Sequence, residues 1–182
     1  MSDINITEST VALIDSLKST TAEFGLAGTG SEYKIVIEIF LYKFFNDKFG
    51  YEAKKDKVYG ERLRRAEKWD AEYDTFTDEE VEDLFSYLPS SVPRLKPEHT
   101  LAHLYNATGK GDFSTLLDAT LIDIAKINSD TFSVSTSGKS RVNIFSAVTS
   151  YVTDTQKRDE FAKSLMRKVA SFNFEDVFTE KY

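Results

Sequence analysis

Residues 31 to 49, SEYKIVIEIFLYKFFNDKF, form the most hydrophobic stretch of the chain and constrain its fold more than any other segment. A membrane span needs about 18 or more apolar residues with almost no charge. This stretch is too highly charged to meet that requirement, because it carries Lys34, Glu38, Lys43, Asp47 and Lys48. We therefore predict a helix of the protein core and no membrane contact.

The charged and apolar residues of this stretch separate when they are placed at about 100° per residue. Its oppositely charged residues pair four apart, Lys34 with Glu38 and Lys43 with Asp47, on nearly opposite sides of the helix. Two apolar stripes run between the pairs, one of Ile35, Ile39, Tyr42 and Phe49 and the other of Ile37, Phe40, Leu41 and Phe44. A helix with two apolar faces is packed on both sides, so we predict that residues 31–49 are the central buried helix.

Short signals indicate where this helix begins and ends. Thr29 and Glu32 have the spacing of a capping box, in which the hydroxyl accepts from the Glu32 amide and the carboxylate reaches back to the Thr29 amide. Gly50 is typical of the residue that follows the end of a helix. The predicted central helix therefore begins just after Thr29 and ends just before Gly50.

The remaining segments also favour helices, so the predicted fold class is mainly α. We expect a single multi-helix domain over residues 1–182, orthogonal or bundle-like, with fraying of residues 1–6. A Ser/Thr-rich loop at 128–140 and the apolar residues after it indicate a short β element near 130–148. The other predicted helices lie at 7–24 and at 52–72, the latter as one charged helix or a helix pair weakened near Gly60. Further helices are predicted from Thr77, with Glu80 as a capping box, to Leu88, from Pro97, after an Asp112 cap, and after a Thr153–Gln156 capping box.

Charge and composition exclude several classes of function. Twenty-three Lys and Arg against 30 Asp and Glu give a net charge of -7, so nucleic acid is not attracted to the chain as a whole and any such contact needs a local basic patch. The absence of cysteine excludes disulfides and thiolate metal sites. The first residues, MSDINITEST, lack the basic and apolar regions of a secretory signal, and we expect a cytoplasmic protein.

The segment KKDKVYGERLRRAEK, residues 54–68, forms such a local patch. It holds seven basic and three acidic residues, a local balance of +4. Arg62 and Arg65 are one helical turn apart, a spacing that suits neighbouring phosphates. The alternative to a phosphate-binding patch is a solvated helix face in which Glu61 and Glu67 lie among the basic residues. The candidate DNA-phosphate contacts are Lys54, Lys55, Lys57, Arg62, Arg65 and Lys68.

One short motif resembles a nucleotide site. STSGKS ends like a phosphate-binding P-loop, with Gly138, Lys139 and Ser140 in its last three positions. The full pattern needs another glycine five residues before Gly138, so that consecutive amides can surround the phosphates, and that position is Ser133. A solvated loop explains the motif, and a nucleotide-binding enzyme is the more distant alternative.

Two other patterns have structural explanations as well. His99 and His103 would share a helix face, as two metal ligands can, yet spacing suggests no third ligand. The acidic residues between 78 and 83 crowd the first turn of a predicted helix, where the helix dipole favours negative charge. We therefore predict no catalytic, cofactor-binding or metal-binding residue in this chain.

The central stretch resembles a family motif. The modification (methyltransferase, HsdM) subunits of type I restriction-modification systems typically have a Ser/Asp-Glu-Tyr-Lys start to a helix that continues approximately Leu-Lys-aromatic and then Asp-basic-Phe. Here Ser31, Glu32, Tyr33 and Lys34 match the start, and the later positions are matched by Leu41, Lys43, Phe44, Asp47, Lys48 and Phe49. The FGLAGTG lead-in departs from the family, whose members often have a Leu-Arg-Gly-like approach.

The resemblance implies a function for the parent chain and a supporting one for this part of it. The family transfers a methyl group from S-adenosylmethionine to adenine N6 in DNA, with F-x-G-x-G and N-P-P-F/Y motifs that do not occur in these 182 residues. We therefore expect a fragment of a longer chain, without the catalytic domain and without a cofactor of its own. In the family, the N-terminal helical domain helps to assemble modification subunits with the DNA-specificity subunit and with restriction subunits, and to close the complex around DNA.

A function of another class remains open from the residues alone. A stand-alone helical adaptor would use its aromatic faces to bind protein partners and would have no link to methylation.

Overall fold

The computed structural model of the chain is mainly α-helical, as the sequence predicts. It describes the backbone of residues 2–135, 137–138 and 140–179, and the side chains of these residues except 2–6, 176 and 179. The α-helices are α1 Ser2–Glu23, α2 Gly30–Ala53, α3 Gly60–Arg65, α4 Trp69–Tyr73, α5 Asp78–Tyr87, α6 Leu101–Asn106, α7 Phe113–Ile127, α8 Arg158–Ala170 and α9 Glu175–Thr179. No helix in this part of the chain is both long and apolar enough to cross a membrane.

Short elements complete the described fold. Strands β1 Ser133–Ser135 and β2 Arg141–Asn143 pair antiparallel, with Val134 opposite Val142, which confirms the predicted β element. Turns of 3-10 helix cover Pro97–His99, Val148–Tyr151 and Thr155–Lys157. Helix α1 begins at Ser2 rather than at residue 7. The prediction of fraying concerns residues 1–6, of which residue 1 and the side chains of 2–6 lie outside the described part.

Helix α2 contains the predicted central helix and contributes many residues to the core. The first apolar stripe, Ile35, Ile39, Tyr42 and Phe49, is completely buried. The second stripe is only partly covered: α9 and the residue before it cover Phe40 and Phe44, through ring contacts to Phe174 and Phe178 at 5.3 Å. Ile37 is 63% exposed, so the prediction that both faces are packed is wrong at that position.

The ion pair Lys43–Asp47 lies inside the protein rather than on a solvated edge. Its atoms are 3.0 Å apart, and the two side chains are only 6% and 8% exposed. The other Asp47 oxygen accepts a hydrogen bond of 2.8 Å from the Phe174 amide, just before α9. The neighbouring Asn46 accepts one of the same length from the Leu101 amide, at the start of α6. Helix α2 therefore binds the backbone at the start of α6 and just before the start of α9.

A third distant segment is fixed to the opposite side of α2. The Glu38 carboxylate accepts hydrogen bonds from the amide and the hydroxyl of Ser146, at 2.8 and 3.0 Å. Burial raises the pKa of Glu38, against the lowering effect of these hydrogen bonds and of Lys34 nearby. On the fully buried face, the Tyr42 hydroxyl donates to the His99 carbonyl at 2.7 Å. The polar residues of α2 thus act as anchors for chain segments far away in sequence.

Two of the predicted helix caps form. The Thr29 hydroxyl accepts from the Glu32 amide at 3.2 Å, but the Glu32 carboxylate accepts from the Gly28 amide at 2.6 Å instead of the Thr29 amide. Both halves of the Thr77–Glu80 capping box are present, at 2.9 and 3.3 Å, and α5 ends just before Pro89 as predicted.

Three other predicted helix starts are wrong. Asp112 precedes α7 in a left-handed backbone conformation and makes no side-chain cap; Asp159 of α8 accepts from the Ser114 amide instead, at 2.8 Å. Thr153 caps nothing, because Asp154 accepts from the Gln156 amide. Pro97 begins a 3-10 turn, and α6 begins at Leu101 after a Thr100 cap. The acceptor in the first case comes from another helix, which local spacing cannot reveal.

Gly50 does not end α2, which continues to Ala53. A Cβ at position 50 would overlap the indole ring of Trp69, so glycine lets α4 approach α2 closely. We expect Gly50→Ala to cost about 1–3 kcal/mol of unfolding free energy by overpacking, although alanine is the better helix former. Urea unfolding would measure this.

Two control variants test the cause of that loss. Gly30→Ala, at a position with open space around it, should be neutral or stabilising. In a Trp69→Phe background the smaller ring should make Gly50→Ala less costly. An equal cost in both backgrounds would show that Trp69 is not the reason for the glycine.

Candidate functional site

The basic segment, residues 54–68, runs from the end of α2 through α3 to the residue before α4. Helix α3 is held in place by Leu63, which is buried in the core. A Cβ at Gly60 would meet the Lys54 carbonyl, and the same carbonyl accepts a hydrogen bond from the Arg64 guanidinium. The segment is therefore folded tightly back on the end of α2, which fixes where its basic side chains lie.

Arg62 belongs to the structure of this region. Its guanidinium contacts Glu72 at 2.5 Å and Glu80 at 2.8 Å and lies 4.3 Å over the ring of Phe76. The hydrogen bond to Glu72 is the largest of the effects that raise the pKa of Arg62. Arg62 thus joins α3, α4 and α5, and a phosphate would have to compete with two carboxylates for it.

Three other candidate cations have single acidic partners. Lys54 pairs with Glu175 of α9, Lys55 pairs with Glu52 at 3.0 Å, and Arg65 pairs with Glu61 at 2.5 Å. The Arg65 side chain is 78% exposed, and exposed pairs of this kind contribute about 0–1 kcal/mol, so its charge stays available to other partners.

Lys57 and Lys68 are exposed, and within the described residues neither makes an ion pair. Four of the six candidates line two neighbouring depressions that share Ala66, and Lys55 and Lys57 line neither of these. Arg62 and Arg65 line a shallow hollow beside α3 together with Glu61 and Glu72. Lys54 and Lys68 line a different and larger depression, which we call the α4–α6–α8 groove.

The α4–α6–α8 groove is an open depression of about 1190 Å³ between α4, α6 and the C-terminal end of α8. Trp69 is half-buried in its wall, and the buried Leu63 and Leu101 lie beneath it. Its charged rim takes residues from several separate parts of the chain, namely Lys54, Arg64, Glu67, Lys68, Asp70, Asp74, Arg167 and Glu175. Sequence reasoning missed the groove because no local pattern joins segments so far apart.

The two histidines do not come together as a metal site. His99 is buried, with Nε2 at 2.8 Å from Asp123 and Nδ1 accepting from the Lys96 amide at 3.2 Å. Burial lowers the pKa of His99, so the ring is neutral at pH 7 and donates to Asp123. His103 contacts Asp74 instead, at 2.8 Å. Among the described residues there is no group of three or more His, Cys, Asp or Glu side chains placed to hold a metal.

The P-loop-like motif lies at the tip of the β-hairpin. Gly138 and Ser140 are exposed there, and Lys139 lies outside the described residues. The strand before it, Ser133–Ser135, has exposed residues and no helix follows the loop directly, whereas a P-loop joins a buried strand to a helix. In the acidic cluster, Glu80 serves the α5 capping box.

The residues of the family-like motif separate into two groups. Lys43, Asp47 and Phe49 are inside the protein, and Phe44 is half-buried beneath α9. Tyr33, by contrast, is 58% exposed, on the same face of α2 as Ile37 one turn later. Lys34 is exposed and Leu41 is half-buried.

Comparison of the chain with protein-family models, with curated proteins and with solved structures gave no match. The family resemblance therefore rests on the residues of α2.

Proposed function

We propose that this chain is the N-terminal helical domain of the modification subunit of a type I restriction-modification system. In this role it docks the DNA-specificity subunit or other modification subunits, and it helps to close the complex around DNA. The methyl transfer from S-adenosylmethionine to adenine N6 belongs to another part of the parent subunit, which acts in the cytoplasm with restriction subunits as further partners.

One observation carries the proposal: the stretch that resembles the family forms the helix that organises the fold. Asp47 of the motif, together with Asn46 and Glu38, holds the backbone of three distant segments. A motif with such anchors specifies a scaffold, because each buried polar side chain has a defined backbone partner that a neutral substitution would leave unpaired.

The exposed part of the same helix supports a role in docking. Tyr33 and Ile37 present an aromatic and a branched apolar side chain on a helix that the core holds rigidly. Aromatic and aliphatic side chains on rigid elements are typical anchors of protein interfaces. This pair favours a protein-binding role in general, so it supports the stand-alone adaptor as a second candidate too.

The parent gene distinguishes these two candidates. The modification-subunit proposal requires an F-x-G-x-G cofactor motif and an N-P-P-F/Y motif downstream of residue 182, beside a gene for a specificity subunit. The adaptor requires neither, and a reading frame without both motifs would refute the first proposal.

A DNA contact of this domain is best supported at Lys57 and Arg65, two of the three exposed cations of the basic segment that lie outside both the groove and the Arg62 network; the third, Lys55, is paired with Glu52 at 3.0 Å. Each phosphate contact steepens the dependence of log affinity on log salt concentration by about 0.9. We therefore expect Lys57→Glu with Arg65→Glu to weaken duplex DNA binding by the assembled complex and to reduce that slope by about 2. A fluorescence anisotropy titration at several salt concentrations would measure both.

A charge-matched control separates specific contacts from net charge. Lys110→Glu with Lys126→Glu makes the same change in total charge at exposed positions outside the basic segment. Equal slopes for the two double variants would show that the basic segment does not touch phosphates. Arg62 is left unchanged in this experiment because its removal would break the contacts to Glu72 and Glu80.

A further inference from the structure

The connector between α5 and α6, residues 88–100, is attached to the core in two halves. In the first half, the Asn128 side chain pairs with both the amide and the carbonyl of Arg94, at 2.7 and 2.8 Å, and the Tyr73 hydroxyl donates to the next carbonyl at 2.6 Å. Neither an amide side chain nor a buried tyrosine changes its charge between about pH 5 and pH 8. The second half is attached through His99, and histidine is the side chain whose charge does change in that range.

Both ring nitrogens of the buried His99 make hydrogen bonds. The Lys96 amide lies 3.2 Å from Nδ1, and because a backbone amide can only donate, Nδ1 carries no proton. The proton of the neutral ring is therefore on Nε2, which donates to Asp123 of α7 at 2.8 Å. The backbone carbonyl of His99 accepts from Tyr42 of α2 at 2.7 Å. His99 thus joins the connector to two helices through bonds that require a neutral ring.

The titratable groups on the elements around the ring are Asp123 of α7, Tyr42 of α2, His103 of α6, and Lys96 and Glu98 of its own turn. Asp123 and Glu98 favour the imidazolium, whereas the Lys96 ammonium disfavours it and also pairs with Asp123 at 3.1 Å. Tyr42 is neutral at these pH values, and His103 contacts Asp74. Burial has the largest effect on His99 and lowers its pKa below the ordinary value of about 6.5.

We propose that His99 makes the attachment of the second half of the connector sensitive to acid. When Nδ1 takes up a proton, two N–H groups face each other and the hydrogen bond from the Lys96 amide is lost. The ring then also carries a charge in a buried position, which favours its exit from that position. Residues 96–100 and the start of α6 are released from α7, while Asn128 continues to hold the first half of the connector.

The direction of the pH dependence follows from the protons bound by the folded and unfolded chains. Because the pKa of His99 is lowered by folding, the stability that it contributes is complete above about pH 6.5 and is lost as the pH falls below that value. Burial raises the pKa values of Glu38 and Asp118, so their protonation adds stability as the pH falls. The carboxyls of Asp123 and Glu52, whose pKa values are lowered by hydrogen bonds and ion pairs, lose their contribution only below about pH 4.5.

Urea unfolding of the protein at pH 7.5, 6.5 and 5.5 tests the proposal. One proton taken up on unfolding raises the unfolding equilibrium constant by up to about tenfold over this range. We expect such a rise in the wild type and in the control His103→Gln, which removes the other histidine of the chain. We expect no rise in His99→Gln, because glutamine can donate to Asp123 but does not titrate. An equal rise in His99→Gln would overturn the proposal.

A second measurement needs no variant and stays decisive if His99→Gln fails to fold. Nuclear magnetic resonance should show that the wild-type His99 ring titrates below pH 6.5. Amide exchange, corrected for its intrinsic pH dependence, should become faster at Lys96 and Leu101 when the pH falls from 7.5 to 5.5, while the Arg94 amide stays protected by Asn128. A ring that titrates at or above pH 6.5, or unchanged protection at Lys96 and Leu101, would refute the proposal.

Discussion

Asp47→Ala is expected to lower the free energy of unfolding by about 3–5 kcal/mol, because it leaves the Lys43 ammonium buried without its partner. The same change removes the acceptor of the Phe174 amide and so weakens the attachment of α9. Urea unfolding followed by circular dichroism would measure the loss. A selective increase in amide exchange around residue 174 would show that the anchor to α9 has been broken.

The matched control is an ion pair with the same spacing at the surface. Glu61 and Arg65 are also four residues apart, at 2.5 Å, but their side chains are 64% and 78% exposed. Glu61→Ala should cost no more than about 1 kcal/mol, because solvent screens the pair and hydrates the arginine that remains. If Asp47→Ala were as mild as Glu61→Ala, the interpretation of the motif as a set of structural anchors would be wrong.

Phe49→Ala is expected to cost about 3–5 kcal/mol, the range found when a buried phenylalanine is truncated in a packed core. The Phe49 ring is fully buried and lies 5.1 Å from the ring of Tyr73, with Trp69 at 6.1 Å and Phe85 at 6.3 Å. Removing it opens a cavity where α2, α4 and α5 meet. Chemical unfolding would show the loss as a lower denaturation midpoint with an unchanged slope.

Ile37→Ala provides the comparison on the same helix. The Ile37 side chain is mostly exposed, so its truncation should change the free energy of unfolding by less than about 0.5 kcal/mol. Similar losses at the two positions would contradict the assignment of Ile37 to an uncovered face of α2.

Local sequence signals predict helix starts well where the partners are close in the chain. The Thr77–Glu80 capping box needs only atoms within four residues, and it forms as predicted. Asp112 fails because Asp159, far away in sequence, supplies the acceptor for the Ser114 amide. The prediction that Gly50 ends the helix fails for a related reason. The glycine is required by the close approach of Trp69, and the helix continues beyond it.

Periodicity predicts the buried face of α2 but not what lies beside it. A polar residue beside an apolar stripe looks the same in sequence whether it meets water or a distant backbone amide. Glu38 and Asp47 meet such amides, at Ser146 and Phe174. Ile37 shows the converse, because an apolar residue within a stripe stays uncovered where no other element reaches it.

In the candidate site, too, the sequence predicts the local features but not the contacts between distant segments. The charge count correctly finds a locally basic segment, but it cannot reveal that Arg62 is engaged by Glu72 and Glu80. The charge count also cannot reveal the α4–α6–α8 groove, because Arg64 and Arg167 come to line the same groove only when the chain folds. The family resemblance is a separate inference, and its test is functional.

Transfer of a labelled methyl group tests the central proposal most directly. The complete protein encoded by the parent gene would be purified with the adjacent specificity subunit and incubated with labelled S-adenosylmethionine and duplex DNA. The proposal predicts a stable complex of the two subunits and label at adenine N6, and no label when the specificity subunit is omitted. A folded protein that forms no such complex and transfers no label would contradict it.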